Sequence, residues 1–151
     1  MLDDTDRRLL RHLLDDPTLG PADLAGRVGM TRASAARRLA RLQDTGVIQG
    51  IRARIDWRQL GYSVEVSLRV SLDKTNPRAF ESFIAAAREV PEITEIQTFL
   101  GRVDVRLHII ARDMGHYQDL YRTRVLTLPH IADIEALMHV ATIKAGGRLP
   151  L

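Results

Sequence analysis

Ser63-Val64-Glu65-Val66-Ser67-Leu68-Arg69-Val70-Ser71-Leu72 places an apolar residue at every even position and a polar one at every odd position. A period of two marks a strand with one buried face and one open face. The residues that follow decide how the strand is used. Asn76-Pro77 predicts a helix start, with asparagine as cap and proline at the first helical position. Phe80, Phe83, Ile84 and Ala87 form its inward stripe, and Pro91 stops it. Glu92 to Leu100 reads as a second strand, Gly101-Arg102 as a turn, and Val103, Val105, Leu107 and Ile109 alternate through a third strand. Asp113 opens another helix, with Tyr117, Leu120, Tyr121, Val125 and Leu128 inward and Pro129 at its end. Ile134 to Ile143 is the last expected strand, and residues 145–151 a tail. Strand-helix-strand-strand-helix-strand over residues 63–144 predicts a four-stranded antiparallel sheet with both helices on one face, the ferredoxin-like arrangement. The other face is left bare. Apolar residues remaining there predict burial against a second copy of the chain, hence a homodimer.

Upstream lies a different pattern. Asp3 with Asp6 three residues on is an acidic version of the capping box. Leu9, Leu10, Leu13 and Leu14 then give an apolar helical stripe that ends at Asp15-Asp16-Pro17. Pro21 opens a second helix with Leu24, Ala25 and Val28 inward, and Gly29 supplies a sharp turn. Thr31 caps a third helix running to about Thr45, with Ala35, Leu39 and Leu42 on one side and Ala33, Ser34, Arg37 and Arg41 on the other. Two short apolar helices joined at a turn glycine describe a helix-turn-helix over residues 1–46, in which the second helix of the pair protrudes toward a major groove. An ordinary three-helix bundle with an arginine-rich surface has the same pattern. Arg38 sits at the flank of the buried stripe, where a salt-bridged structural role competes with a phosphate contact. Residues 47–62 read as a short strand and connector, with Arg52 and Arg54 on one side of Ile51, Ala53 and Ile55.

The 151 residues carry a net charge of +3 with a pI near 9.8, but the charge is unevenly placed. Met1 to Tyr62 holds 11 Arg against 8 Asp, and Ser63 to Leu151 holds 11 basic against 11 acidic residues. Within the first part, Arg27 to Arg58 holds 8 Arg against 2 Asp, the footprint of a nucleic-acid contact. With no cysteine, thiol catalysis, thiolate metal sites and disulfides are excluded. No apolar run approaches a membrane span and the acidic N-terminus is unlike a secretory signal, so a cytoplasmic location without membrane contact is expected. Five scattered histidines show no metal-ligand spacing, and neither a phosphate-cradling glycine loop nor a nucleophile elbow is present. No metal, no cofactor and no catalytic residue is therefore expected.

Jointly, Leu2-Asp3-Asp4-Thr5-Asp6, Leu24-Ala25-Gly26-Arg27-Val28-Gly29-Met30-Thr31, Arg38-Leu39-Ala40-Arg41-Leu42, Gly46-Val47-Ile48, Leu60-Gly61-Tyr62, Gly101-Arg102-Val103-Asp104, Arg112-Asp113 with Tyr117, and Leu126-Thr127-Leu128-Pro129 resemble the Lrp/AsnC family of transcriptional regulators over nearly the whole chain. The resemblance implies an α+β protein: an N-terminal winged helix-turn-helix and a C-terminal ferredoxin-like sensor module. It implies dimers that assemble further, as far as octamers, on double-stranded DNA. It implies a small effector, usually an amino acid, bound between C-terminal modules. Carried over by position, the effector site falls on Leu100, Gly101, Arg102 and Asp104, with Glu135 and Ala136 as a facing wall. Arg102 replaces the family's usual acidic residue and Ala136 a common threonine. For Gly101 and Asp104 a plain tight hairpin is the competing reading. The DNA-contacting set is Thr31, Arg32, Ser34, Arg37, Arg38 and Arg41: Arg32, Ser34 and Arg37 toward base edges, Arg38 and Arg41 toward phosphates. Two other classes remain: an enzyme like the siroheme decarboxylases, which resemble this family in fold, and a ligand-sensing assembly protein without DNA activity.

Overall fold

A computed structural model describes residues 1–144, so the expected tail lies outside the described residues. Met1–Arg54 belongs to one compact unit and Ile55–Thr142 forms another.

The first unit holds three helices, α1 (Asp4–Asp15), α2 (Pro21–Val28) and α3 (Arg32–Asp44). The capping box is formed: Asp3 Oδ1 accepts the Asp6 N–H at 2.7 Å and Asp6 Oδ2 accepts the Asp3 N–H at 3.1 Å. Leu9, Leu24 and Val28 make the core, with Leu13, Leu19, Met30 and Leu39 packed on it. Leu14 falls outside the expected stripe and is exposed. Gly29 ends α2 at φ +76°, with its N–H on the Ala25 carbonyl at 2.9 Å. A side chain there would meet nothing in space, so it is the left-handed backbone that calls for glycine. Thr31 Oγ1 caps α3 by accepting the Ser34 N–H at 3.2 Å.

The strand expected in residues 47–56 is not formed. The segment has the alternation, yet Ile51 and Ile55 are exposed and no strand of this chain pairs with it among the described residues. Alternation supplies a face; a strand also needs a neighbour to take its N–H and C=O groups.

The second unit holds β1 (Val64–Leu72), α4 (Ala79–Arg88), β2 (Ile93–Thr98), β3 (Val105–Ala111), α5 (Met114–Leu120) and β4 (Ile131–Met138), with the sheet in the order β2-β3-β1-β4, all neighbours antiparallel. Val66, Leu68, Val70 and Leu72 of β1 meet Val105, Leu107 and Ile109 of β3 and Phe83, Ala87, Tyr117, Leu120, Val125 and Leu128 from the helical side. A wider helical turn, Tyr121–Val125, prolongs α5, with the Leu126 N–H reaching back five residues to the Tyr121 carbonyl at 2.9 Å.

Three expectations need correction. First, α4 starts at Ala79, because the Asn76 side chain accepts the Arg78 N–H at 2.9 Å and caps a turn before the helix instead of the helix itself. Its buried residues are accordingly Ala79, Phe83 and Ala87, and Phe80 is exposed. Second, β4 begins three residues early and stops five early. Pairing starts at Ile131 opposite Leu72, just after His130 turns the chain at φ +64°, and runs out where β1 begins. Third, the open sheet face is polar. Glu65, Ser67, Arg69 and Ser71 of β1 stand beside Arg106 and His108 of β3 and Glu135 and Asp133 of β4, with Ile110 and Leu137 the apolar exceptions among these paired positions. Among these paired positions the apolar surplus expected there is reduced to those two.

The corrected stripe yields a direct contrast. Phe83→Ala, at a fully buried site, is expected to cost about 3–5 kcal/mol in urea denaturation. Phe80→Ala is expected to cost less than about 1.5 kcal/mol. Equal losses would contradict this register of α4.

Candidate nucleic-acid interface and ligand turn

A carboxylate on the buried stripe of a helix is costly unless paired. Asp6 is in that position: it lies three residues before Leu9 on α1 and has no solvent exposure. Its partners come from α3. Arg38 Nη1 donates to Asp6 Oδ1 at 2.8 Å and to Asp3 Oδ2 at 2.6 Å, and Arg41 Nη2 donates to Asp6 Oδ2 at 2.5 Å. Residues 38 and 41 stand one turn apart, so both guanidinium groups reach the same carboxylate. Burial by itself raises the Asp6 carboxyl, but hydrogen bonds from Arg38, the Asp3 N–H and Arg41 outweigh it and hold the group below its ordinary value. The Asp6 N–H, then Arg38, hold Asp3 low as well, and the same pairs raise Arg38.

The six residues expected to face DNA thus divide in two. Thr31, Arg32 and Arg37 are exposed and Ser34 is half-buried, all on the first two turns of α3. Arg38 and Arg41 are tied to α1, although Arg41 keeps 48% of its side-chain exposure. Of the two roles open for Arg38, the salt-bridged one is formed. The acidic partners were missed as partners; the signal was an aspartate on the apolar stripe of α1, with arginines at matching spacing on α3.

The turn expected to hold an effector joins β2 to β3. Its backbone closes with the Phe99 N–H on the Asp104 carbonyl at 2.9 Å. Asp104 is taken up by β1: its N–H donates to the Val70 carbonyl at 3.0 Å and its Oδ2 accepts the Leu72 N–H at 2.8 Å. Lys74 Nζ stands 3.5 Å from the other oxygen. The Arg102 carbonyl accepts the Ser71 hydroxyl at 2.7 Å, and the exposed Leu100 stands at the tip. Gly101 has φ +159°, close to fully extended. A cleft of about 110 Å³ lies beside Asp104, lined also by Lys74, Asn76 and Phe80, none of which the sequence pattern assigned to a binding site.

Glu135 and Ala136 do not form one wall. Neighbours on a strand point to opposite faces. Glu135 is opposite Arg69 on the open face, at 3.5 Å from its Nη1, while Ala136 is opposite Leu68 on the helical side.

Comparison with known proteins matches both units. The family model described as Lrp/AsnC ligand binding domain covers residues 65–149, and that described as winged helix-turn-helix DNA-binding covers residues 2–49. A proline dehydrogenase transcriptional activator of Rhodobacter capsulatus is 32% identical over 87% of this chain and 86% of its own. The leucine-responsive regulatory protein of Salmonella typhimurium is 31% identical over 98% of this chain and 90% of its own. Among solved structures, a transcriptional regulator in complex with L-Met from Neisseria meningitidis superposes with a TM-score of 0.90 at 25% identity, covering 99% of this chain and 97% of that one.

The depressed Asp6 and Asp3 carboxyls set a pH dependence. A carboxyl with a lowered folded value adds stability that is fully present above its unfolded value, near 3.8, and is lost as pH falls through the folded one. The helical unit is expected to hold its stability above about pH 4 and to lose it on further acidification. Asp6→Asn is expected to flatten that acid limb, read by circular dichroism in urea at stepped pH. An unchanged limb would remove the pair from the stability account.

Proposed function

The chain belongs to the Lrp/AsnC family of transcriptional regulators, and on that footing we propose that it binds double-stranded DNA through α3 under the control of a small effector, in the first instance an amino acid. The observation that carries the reading is the geometry of α3: a capped helix whose first two turns expose Thr31, Arg32 and Arg37 while its opposite side is held on α1. Arg32 and Ser34 are proposed to face base edges, Thr31 a phosphate, and the later arginines the backbone. Kinship with a transcriptional activator and a leucine-responsive regulatory protein favours this over a decarboxylase or a sensor without DNA activity. No helix among the described residues is long and apolar enough to cross a membrane.

We further propose a homodimer, which would present two copies of α3 to the half-sites of a palindrome. The effector is proposed to sit at the turn Leu100, Gly101, Arg102 and Asp104; the L-Met complex of the similar Neisseria regulator supports an amino acid as its class. Asp104 is bound to β1, so in this reading it braces the turn, and the exposed Arg102 is the group free to meet a ligand carboxylate. A facing wall of Glu135 or Ala136 would come from a second copy, since one chain sends them to opposite faces.

Two measurements test the proposal. If about six phosphates are neutralised, log affinity for duplex DNA falls with log salt at a slope of about −5, and Arg32→Ala narrows the gap between specific and random sequence. Salt-independent binding would refute the DNA role. In calorimetry with the twenty amino acids, one or more binds the wild type and Arg102→Ala weakens it about tenfold or more; equal binding by both proteins removes Arg102 from the site.

A further inference from the structure

A pocket of about 220 Å³ opens on the helical unit, lined by Asp3, Arg37, Arg38 and Arg41. Three guanidinium groups from successive turns of α3 converge on it, and two of them are already fixed. Arg38 and Arg41 are held from behind by Asp6, which is fully buried and uses both oxygens to do so. Each guanidinium carries five N–H donors. Arg38 uses Nη1 and Arg41 uses Nη2 toward the carboxylates, which leaves Nε and the second Nη of each without a hydrogen-bond partner among the described residues. Arg37 makes no ion pair among the described residues. Three cations against two carboxylates leave the cluster net positive, and the better buried carboxylate lies behind the arginines. Forked donors around a net positive hollow fit one tetrahedral oxyanion.

We propose that this pocket seats a single phosphodiester of duplex DNA, with Asp6 as a positioning residue that fixes Arg38 and Arg41 before DNA arrives. The inference rests on the DNA-binding reading and sharpens it. Arg37, expected to read a base edge, instead joins the two fixed arginines on the same backbone phosphate. The rotamer freedom of two long side chains is surrendered on folding and not on binding, which is how preorganisation strengthens a contact. The consequence runs against bulk electrostatics: removing the negative charge of Asp6 loosens the seat and weakens DNA binding, although it makes the protein more basic.

The experiment is fluorescence anisotropy of the full chain on a random-sequence duplex across a salt series. Asp6→Asn is expected to weaken binding at least threefold, while Asp4→Asn, the same charge change at an exposed neighbour, leaves it unchanged or tightens it. Asp6→Asn binding as tightly as Asp4→Asn overturns the positioning role. Arg37→Gln with Arg41→Gln, on the exposed side of α3, keeps the test decisive should Asp6→Asn fail to fold. Because Arg38 still neutralises a shared phosphate, one seat predicts that the double variant weakens binding at least threefold while the slope of log affinity on log salt falls by less than about 0.9. A drop of about 0.9 or more means phosphates gripped separately, and an unchanged affinity means that neither arginine touches DNA; either overturns the seat while leaving DNA binding intact. A wild type that does not bind the duplex overturns the seat and the DNA reading together.

Discussion

The Asp6 carboxylate is the constraint from which the arrangement of the helical unit follows. It closes the capping box at the start of α1, occupies a place on the apolar stripe, and takes two arginines from the middle of α3. A buried ion pair contributes little net stability against an apolar replacement. What it does contribute is a tie between the two helices, because two guanidinium groups of α3 meet one carboxylate of α1. The same contact thus orients the helix proposed to face DNA and sets which of its arginines are paired with α1.

The sheet unit works by a different division. One face is a continuous apolar core under two helices, and the other is a polar lattice of short-range pairs. Glu65 lies at its centre, 3.5 Å from His108 Nε2 and 3.4 Å from His139 Nδ1, so β1, β3 and the residue after β4 meet at one carboxylate. Thr94 and Thr142 take the remaining ring nitrogens at 2.7 and 2.8 Å. A partner copy on this face would be matched through charge and hydrogen bonding, which favours a specific register over mere apolar area. The turn between β2 and β3 is likewise locked onto β1 through Asp104, leaving residues 99–102 exposed.

Much of this was legible in the residues. The period of two in β1 and the proline and glycine stops gave the element order of the sheet unit, and the Asp3–Asp6 spacing, Gly29 and Thr31 gave the helical one. The misses have physical causes. Asn76-Pro77 carries the same signals for a turn as for a helix cap, and only the hydrogen bond to Arg78 separates them. The bounds of β4 depend on where its partner starts, which local pattern does not encode. Residues 47–56 have a strand's alternation without a strand's neighbour. The open face looked apolar when surplus residues were counted, but pairing register, not count, decides which face each residue takes. At the DNA surface the residue types were plain, whereas the division of labour among the arginines required the position of α1.

The most direct test of the account is backbone amide NMR of the chain titrated with duplex DNA. Shifts concentrated in residues 31–41 of α3, with a secondary response at Asp3 and Asp6 where the fixed arginines are anchored, are the predicted result. Shifts confined to the sheet unit, or an α3 that does not respond to saturating DNA, would contradict it.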